Sequence, residues 1–271
     1  MGELQNKQNE LLKLLQSPTS GHPLVSQDGM MLDPHTGETF CIRNGIPVIL
    51  RSDDVFGWNR RQQAGYNLFS PLYDLLYKFN IAQKWLAEVF EIMDVKSGEY
   101  ILETSVGTGQ QIRNLERNGV DANFFGNDIS FGMLRRCQRN IEKWGIDMGL
   151  VQGNAEALPF QNELFDVVFH IGGFNFFNNK MAAIEEMIRV ARPGAKLYIG
   201  DETDSIRDKP GLVARIADRF MPSHEAYAPP VDLLPDDMLS VETHSLLDDK
   251  FWMVSFQRSG NAATESKGTS A

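Results

Sequence analysis

Cysteine is scarce in this chain: two in 271 residues, Cys41 and Cys137, far apart and in no ligand-like spacing. A disulfide scaffold and a cysteine-built zinc site are therefore not expected. Basic charge is also short, with 26 Lys and Arg against 36 Asp and Glu, a net charge of −10. A surface that grips nucleic acid through its phosphates needs the opposite balance, so no nucleic-acid partner is expected. No run of eighteen apolar residues occurs, and none of the chain is expected to span a membrane. The first residues, MGELQNKQNELLKLL, lack the apolar stretch of a secretory leader, so the expected location is cytoplasmic.

What is present is ample core material: 42% hydrophobic and 10% aromatic residues. Leucines at helical spacing predict a helix over Glu3 to Gln16. A Gly-, Pro-, Ser- and Thr-rich stretch from Ser17 to Leu50 then reads as short hairpins and turns. From Phe69 to Met93 the spacing is again helical. Beyond it strands and helices alternate: YILET, QQIRNLERN, NFFGND, SFGMLRRCQRNIEKWG, GLVQGNA, FDVVFH, NKMAAIEEMIRVARPG and AKLYIGDE. The helix ending in ARPG is expected to stop at Pro193-Gly194. This alternation predicts right-handed βαβ units and a parallel sheet covered on both faces. Two strands around the turn LDDK close the pattern, and the small polar residues 259–271 read as a disordered tail.

In such a sheet ligands gather beyond the carboxyl ends of the strands. The first strand ends in ETSVGTG: an acid, Glu103, followed by Thr104, Ser105, Val106, Gly107, Thr108 and Gly109. Asp128 closes the second strand, at the spacing of about 20 residues where an acid grips a ribose. The third glycine of a dinucleotide fingerprint is missing, and a carboxylate at Glu103 would repel a pyrophosphate. It suits a nucleoside that carries an amino group, which points to S-adenosylmethionine.

Four segments, ILETSVGTG, NDISFGML, GNAEALPFQNELFDVVF and ARPGAKLYIGDE, resemble in order and spacing the successive motifs of class I S-adenosylmethionine-dependent methyltransferases, within them the ubiquinone/menaquinone-biosynthesis group. The resemblance implies an α/β, Rossmann-like, doubly wound sheet of seven mostly parallel strands with an antiparallel last strand, plus a small N-terminal α+β module. It divides the chain into residues 1–52, a helix and zinc-ribbon-like module; 53–258, the methyltransferase domain with an insertion or lid at about 204–236; and the tail. It implies that Glu103, Thr104, Ser105, Val106, Gly107 and Gly109 surround the methionine part of the cofactor, and that Asp128 holds the ribose. Ile129 and Met133 would lie against the adenine, Asn154, Ala155 and Glu156 at its edge with Leu158 nearby, and His170 and Gly172 beside the methyl group. Tyr73 would help cover the cofactor, and the product would be S-adenosylhomocysteine.

The family's usual glycine and aspartate are Ser105 and Asn154 here. An asparagine oxygen is expected to take the adenine amine in place of the carboxylate. In the N-terminal segment the module's two cysteine pairs correspond to Ser17, Ser20, Asp33 and Thr36, which cannot make a structural zinc site, so no metal is expected.

His170 is the candidate base, against the simpler role of bonding backbone beside the cofactor. Asp201 either faces the substrate or caps a following helix. Phe174, Asn175 and Phe177 are expected in the wall of an acceptor pocket, and His224 in the lid or on a surface loop. The expected activity is methyl transfer to carbon or oxygen of a small, rather hydrophobic molecule. Two other readings stand beside it: a protein that binds the cofactor without transferring its methyl, and an RNA or protein methyltransferase. The sequence leaves the oligomeric state open, a homo-oligomer included.

Overall fold

The computed structural model describes residues 6–50, 88–203 and 227–260. The chain opens with α1 (Asn6–Leu14) and four short strands, β1 (Val25–Gln27), β2 (Met30–Leu32), β3 (Thr39–Arg43) and β4 (Ile46–Pro47), paired antiparallel in sequence order. After a helical turn at residues 88–92 come β5 (Tyr100–Thr104), α2 (Gln110–Arg117), β6 (Asn123–Asp128), α3 (Phe131–Trp144), β7 (Met148–Gln152), β8 (Phe165–Ile171), α4 (Lys180–Val190) and β9 (Ala191–Glu202). The strands β10 (Leu239–Leu246) and β11 (Phe251–Gln257) follow.

β5 to β11 form one seven-stranded sheet in the order β10-β11-β9-β8-β5-β6-β7. β5 pairs in parallel with both β6 and β8, so the direction of winding reverses at β5. β11, the last strand in the chain, runs antiparallel to both its neighbours, as the resemblance implies. The middle strands are apolar on both faces because both faces are covered. On one face α2, α3 and the 88–92 turn contribute Ile112, Leu115, Leu134, Ile141 and Val89 to a cluster with Ile101 and Phe169. On the other, α4 supplies Ala183, Ile184 and Met187 to a cluster with Leu102, Val168 and Leu197.

That second cluster continues into the N-terminal residues Leu11, Leu15, Met31, Phe40 and Ile49. No helix links β7 to β8. α1 lies over β6 and β7 instead, and Gly149 permits the approach: a Cβ there would stand 2.9 Å from the Leu11 Cβ and 3.0 Å from the Lys7 carbonyl oxygen. The outer edge of β7 is closed by main-chain and side-chain partners. Gln8 donates to the Leu150 carbonyl at 3.0 Å and accepts from its N–H at 2.9 Å. The Ile49 N–H donates to Gln152 O at 2.8 Å. An edge that would otherwise template aggregation is thereby satisfied within the chain.

The helix expected to run to Pro193-Gly194 ends earlier, at Val190. Proline disfavours helical geometry in the residue before it, and Ala191 already pairs with Phe165. Register is lost between Phe165 and Val167, so residues 192–195 bulge before β9 pairs regularly from Lys196.

The four positions that correspond to zinc ligands come together as a hydrogen-bonded knot. The Ser20 hydroxyl donates to Asp33 Oδ2 at 2.6 Å, and Asp33 Oδ1 accepts the His35 and Thr36 N–H groups at 2.8 and 3.2 Å. Ser17 Oγ donates to Glu38 and accepts the N–H groups of Thr19 and Ser20. Ser17 and Asp33 have no solvent exposure. Burial by itself raises the Asp33 carboxyl, but the hydrogen bonds from Ser20, His35 and Thr36 prevail and hold it well below the usual carboxylate range.

Candidate active site

The strand ends around β5 build the site. Glu103 is wholly buried at the tip of β5, and among the described residues neither carboxylate oxygen has a hydrogen-bond partner. Burial, then the Asp128 charge, push its carboxyl well above the ordinary glutamate value. The chain then turns through left-handed backbone at Ser105 (φ 64°), Gly107 (φ 55°) and Gly109 (φ 81°). Ser105 adopts a conformation that glycine takes freely and serine takes at a cost of about 1 kcal/mol. At Gly109 a Cβ would meet Cys137 Sγ at 2.9 Å, so the start of α2 packs on α3 only because that carbon is absent.

Asp128 ties this loop to β6. Its Oδ2 accepts the Gly107 N–H at 2.8 Å and its Oδ1 the Ser130 N–H at 2.7 Å. Burial raises its carboxyl to about 6 despite those two bonds. Ser130 caps α3 by accepting the Met133 N–H at 3.2 Å, which seats Met133 in the buried wall beyond Asp128. Ile129 is fixed through its carbonyl, which takes the Gln152 amide at 2.9 Å.

The loop after β7 departs from the sequence reading. Asn154 Oδ1 accepts the Glu156 N–H at 3.0 Å, closing a turn, so a ligand amine would have to share that oxygen. Glu156 in turn accepts the Asn178 N–H at 2.9 Å and joins this loop to the one after β8. Ala155 and Leu158 are buried in the cluster between them.

His170, at the end of β8, is fully buried and its Nδ1 lies 3.0 Å from Thr104 Oγ1. Burial drives the imidazole down to about 4, against hydrogen bonds to the Gly172 and Thr104 backbone, so it is neutral at pH 7. Its Nε2 has no hydrogen-bond partner. The ring meets Phe177 at 4.9 Å and Phe174 at 5.6 Å between centroids. Gly172 and Gly173 follow with φ of 82° and 88°, and a Cβ on either would meet no atom within 4 Å. This loop and Gly107 therefore border open space at the carboxyl ends of β5 and β8.

Asp201 is engaged by backbone amides, and residues 204–226, where a following helix would begin, lie outside the described residues. Its carboxylate faces the loop after β8, accepting the N–H groups of Gly173 (3.2 Å), Asn175 (2.7 Å) and Glu202 (2.8 Å). Burial raises it to about 6. Tyr73 and His224 lie outside the described residues. Asn127, beside Asp128, was given no role from the sequence, and among the described residues neither its oxygen nor its nitrogen has a partner. Its place at a strand tip was the available signal. Among the described residues no group of three or more His, Cys, Asp or Glu is placed to hold a metal ion, and no helix is long and apolar enough to cross a membrane.

Residues 102–199, which carry the carboxyl ends of β5, β6, β7 and β8, match the family described as a methyltransferase domain. The chain is 29% identical over 154 residues to the demethylmenaquinone methyltransferase of Thermus thermophilus, covering 56% of this chain and 70% of that one. It is 32% identical over 172 residues to the ubiquinone/menaquinone biosynthesis C-methyltransferase UbiE of Shewanella pealeana, covering 62% and 67%. The chain belongs to the class I S-adenosylmethionine-dependent methyltransferases, in the UbiE-like group. Its cofactor is accordingly S-adenosylmethionine.

Solved structures share the methyltransferase fold at low identity. Phosphoethanolamine N-methyltransferase 2 of Haemonchus contortus, in complex with S-adenosyl-L-methionine, superposes with a TM-score of 0.59 at 13% identity, over 76% of this chain and 60% of that one. The [4+2]-cyclase SpnF superposes at 0.54 and 13% identity, over 74% and 97%. The fold alone thus does not decide the reaction.

Proposed function

We propose that this methyltransferase transfers the methyl group of S-adenosylmethionine to carbon or oxygen of a small, rather hydrophobic molecule, and that the site described above holds both. The observation that carries this reading is Glu103: a buried acid with two unpartnered oxygens is costly unless a cationic or donor group completes it. The amino group of the cofactor is such a group. Asp128, with one N–H on each oxygen, keeps lone pairs for the ribose hydroxyls. Ile129 and Met133 serve the adenine face, and Asn154, Ala155 and Glu156 its edge. Thr104, Ser105, Val106, Gly107 and Gly109 shape the turn between them, with Gly172 across the open space.

Bound S-adenosylmethionine supplies a sulfonium methyl group; the protein's task is to orient the acceptor and keep water out. Phe174, Phe177 and His170 form an aromatic wall suited to a flat apolar acceptor. The quinone-pathway relatives favour an acceptor of that kind. A neutral imidazole with a pKa near 4 is a weak general base. His170 therefore serves best by hydrogen bonding, taking a proton only from a group already losing it.

Calorimetric titration with S-adenosylmethionine and S-adenosylhomocysteine, beside Asp128→Ala, tests the cofactor site. Labelled methyl transfer to a short-chain demethylmenaquinol tests the reaction. Tight cofactor binding without transfer to any small acceptor would favour a non-methylating role, and labelled RNA would favour a nucleic-acid substrate.

A further inference from the structure

Asn175 is 2% exposed, and its side chain is half satisfied in a way that fixes its orientation. Nδ2 donates to the Glu202 carbonyl at 2.9 Å, while Oδ1 has no partner among the described residues. Flipping the amide would press oxygen against the Glu202 carbonyl oxygen, so the oxygen must be the free atom. The backbone beneath it is equally constrained. Asp201 Oδ2 accepts the Asn175 N–H and Oδ1 the Gly173 N–H, and Gly172 donates its N–H to the Gly200 carbonyl at 2.8 Å. Two successive left-handed glycines let the chain turn sharply enough for one carboxylate to collect both amides.

A buried acceptor held this rigidly, beside a loop that borders open space, is costly in the free protein and is repaid only by an incoming donor. We propose that Asp201 is a positioning residue, fixing the 172–177 loop so that Asn175 Oδ1 is presented to a hydroxyl or amine hydrogen of the methyl acceptor. This rests on the reading of Phe174, Asn175 and Phe177 as the acceptor wall. Asp201 Oδ1 takes two backbone N–H groups and Oδ2 one, and its part in this proposal is to hold the loop. The site then selects acceptors that carry a hydrogen-bond donor and disfavours those of the same shape that carry only carbonyl oxygens, because a carbonyl would leave Oδ1 unpaired.

The charged groups around the clamp are Lys180, half-buried on α4 and electrostatically favourable to Asp201, and Glu202, which opposes it. His170 on β8, packed against Phe174, is neutral above a pH of about 4.

The test uses 2,3-dimethyl-1,4-naphthoquinone and its hydroquinone, which share a shape, differ in donors and resist thiol addition. Their dissociation constants are measured in the presence of S-adenosylhomocysteine for the unmodified protein, Asn175→Leu and Asp201→Asn. Expected for the unmodified protein is a preference for the hydroquinone of about tenfold, the worth of one hydrogen bond. The preference falls to about one in Asn175→Leu and shrinks in Asp201→Asn, with S-adenosylhomocysteine affinity changed less than about twofold. Hydrogen-exchange protection of the Gly173 and Asn175 amides drops in Asp201→Asn. A preference that is absent from the outset, or that survives Asn175→Leu, overturns the proposal, as do amides that stay protected in Asp201→Asn. Should Asp201→Asn fail to fold, Asn175→Leu decides alone. Binding of neither probe overturns the functional reading on which the proposal rests.

Discussion

Two buried carboxylates, Asp33 and Glu103, sit within one chain in opposite conditions. Asp33 is ringed by donors from Ser20, His35 and Thr36 and is held below the ordinary carboxylate range. Glu103 has no donor on either oxygen and is pushed above it. The first is complete: its ionised form belongs to the fold. The second is incomplete, and its ionised form waits for a ligand. The sign of a buried acid's pKa shift, read with its hydrogen-bond list, thus separates a structural carboxylate from a binding one more surely than burial does.

The largest expected effect lies on the binding side. Asp128→Ala should weaken S-adenosylmethionine by about 100-fold, the loss of hydrogen bonds to a charged group. Glu103→Gln should weaken it by at least about tenfold while leaving the melting temperature of the free protein nearly unchanged, because burial and the Asp128 charge already disfavour the ionised form there. A marked fall in melting temperature for Glu103→Gln would erase the contrast with Asp33.

The reverse is expected at the other carboxylate. Asp33→Asn should lower the melting temperature and leave the cofactor dissociation constant where it was. Since the folded pKa of Asp33 is depressed, its stabilisation is present above the unfolded value of 3.8 and is lost only as pH falls through the folded one. The gap between variant and unmodified protein should therefore persist down to about pH 4.

Acid sharpens the comparison from the site's side. Asp128 and Asp201 rise from 3.8 to about 6, so the folded protein keeps protons that the unfolded chain releases. Their stabilising contribution is fully present below 3.8 and is lost as pH rises through 6. Cofactor affinity should move the other way, falling by up to about tenfold per pH unit below 6 as Asp128 takes a proton. Burial raises the Glu103 carboxyl, so binding of a cationic amino group should favour proton release, seen calorimetrically as an enthalpy that varies with the ionisation heat of the buffer.

Two smaller effects probe the frame. Gly149→Val should cost about 1–3 kcal/mol by forcing α1 away from β7. Ser105→Gly should add about 1 kcal/mol by relieving left-handed backbone strain, measured by denaturant unfolding, with cofactor affinity retained.

Alternation of strand and helix, from YILET to AKLYIGDE, was readable because hydrophobic period reports local structure directly. The strand tips were readable too, since a parallel sheet gathers its ligands there: Glu103, Asp128 and His170 stand where their positions in the sequence imply. Contacts made across distant segments were not. The Ser17, Ser20, Asp33 and Thr36 positions ruled out a thiolate zinc site by composition, yet nothing local showed that they would bond one another. Asn154 reads as a ligand residue, and only the fold shows that its oxygen also closes its own turn. Asp201 reads as a catalytic acid or a helix cap until the loop after β8 folds onto it.

By itself, then, the sequence determined the class of sheet, the order of its motifs and the identity of the residues at the strand tips, all consequences of periodicity and short-range spacing. Tertiary structure alone decided how the N-terminal residues close the β7 edge, which carboxylates find donors, and which way the Asn175 amide points. Those outcomes depend on groups far apart in the chain competing for the same few hydrogen bonds, and that competition is settled only when the chain is packed.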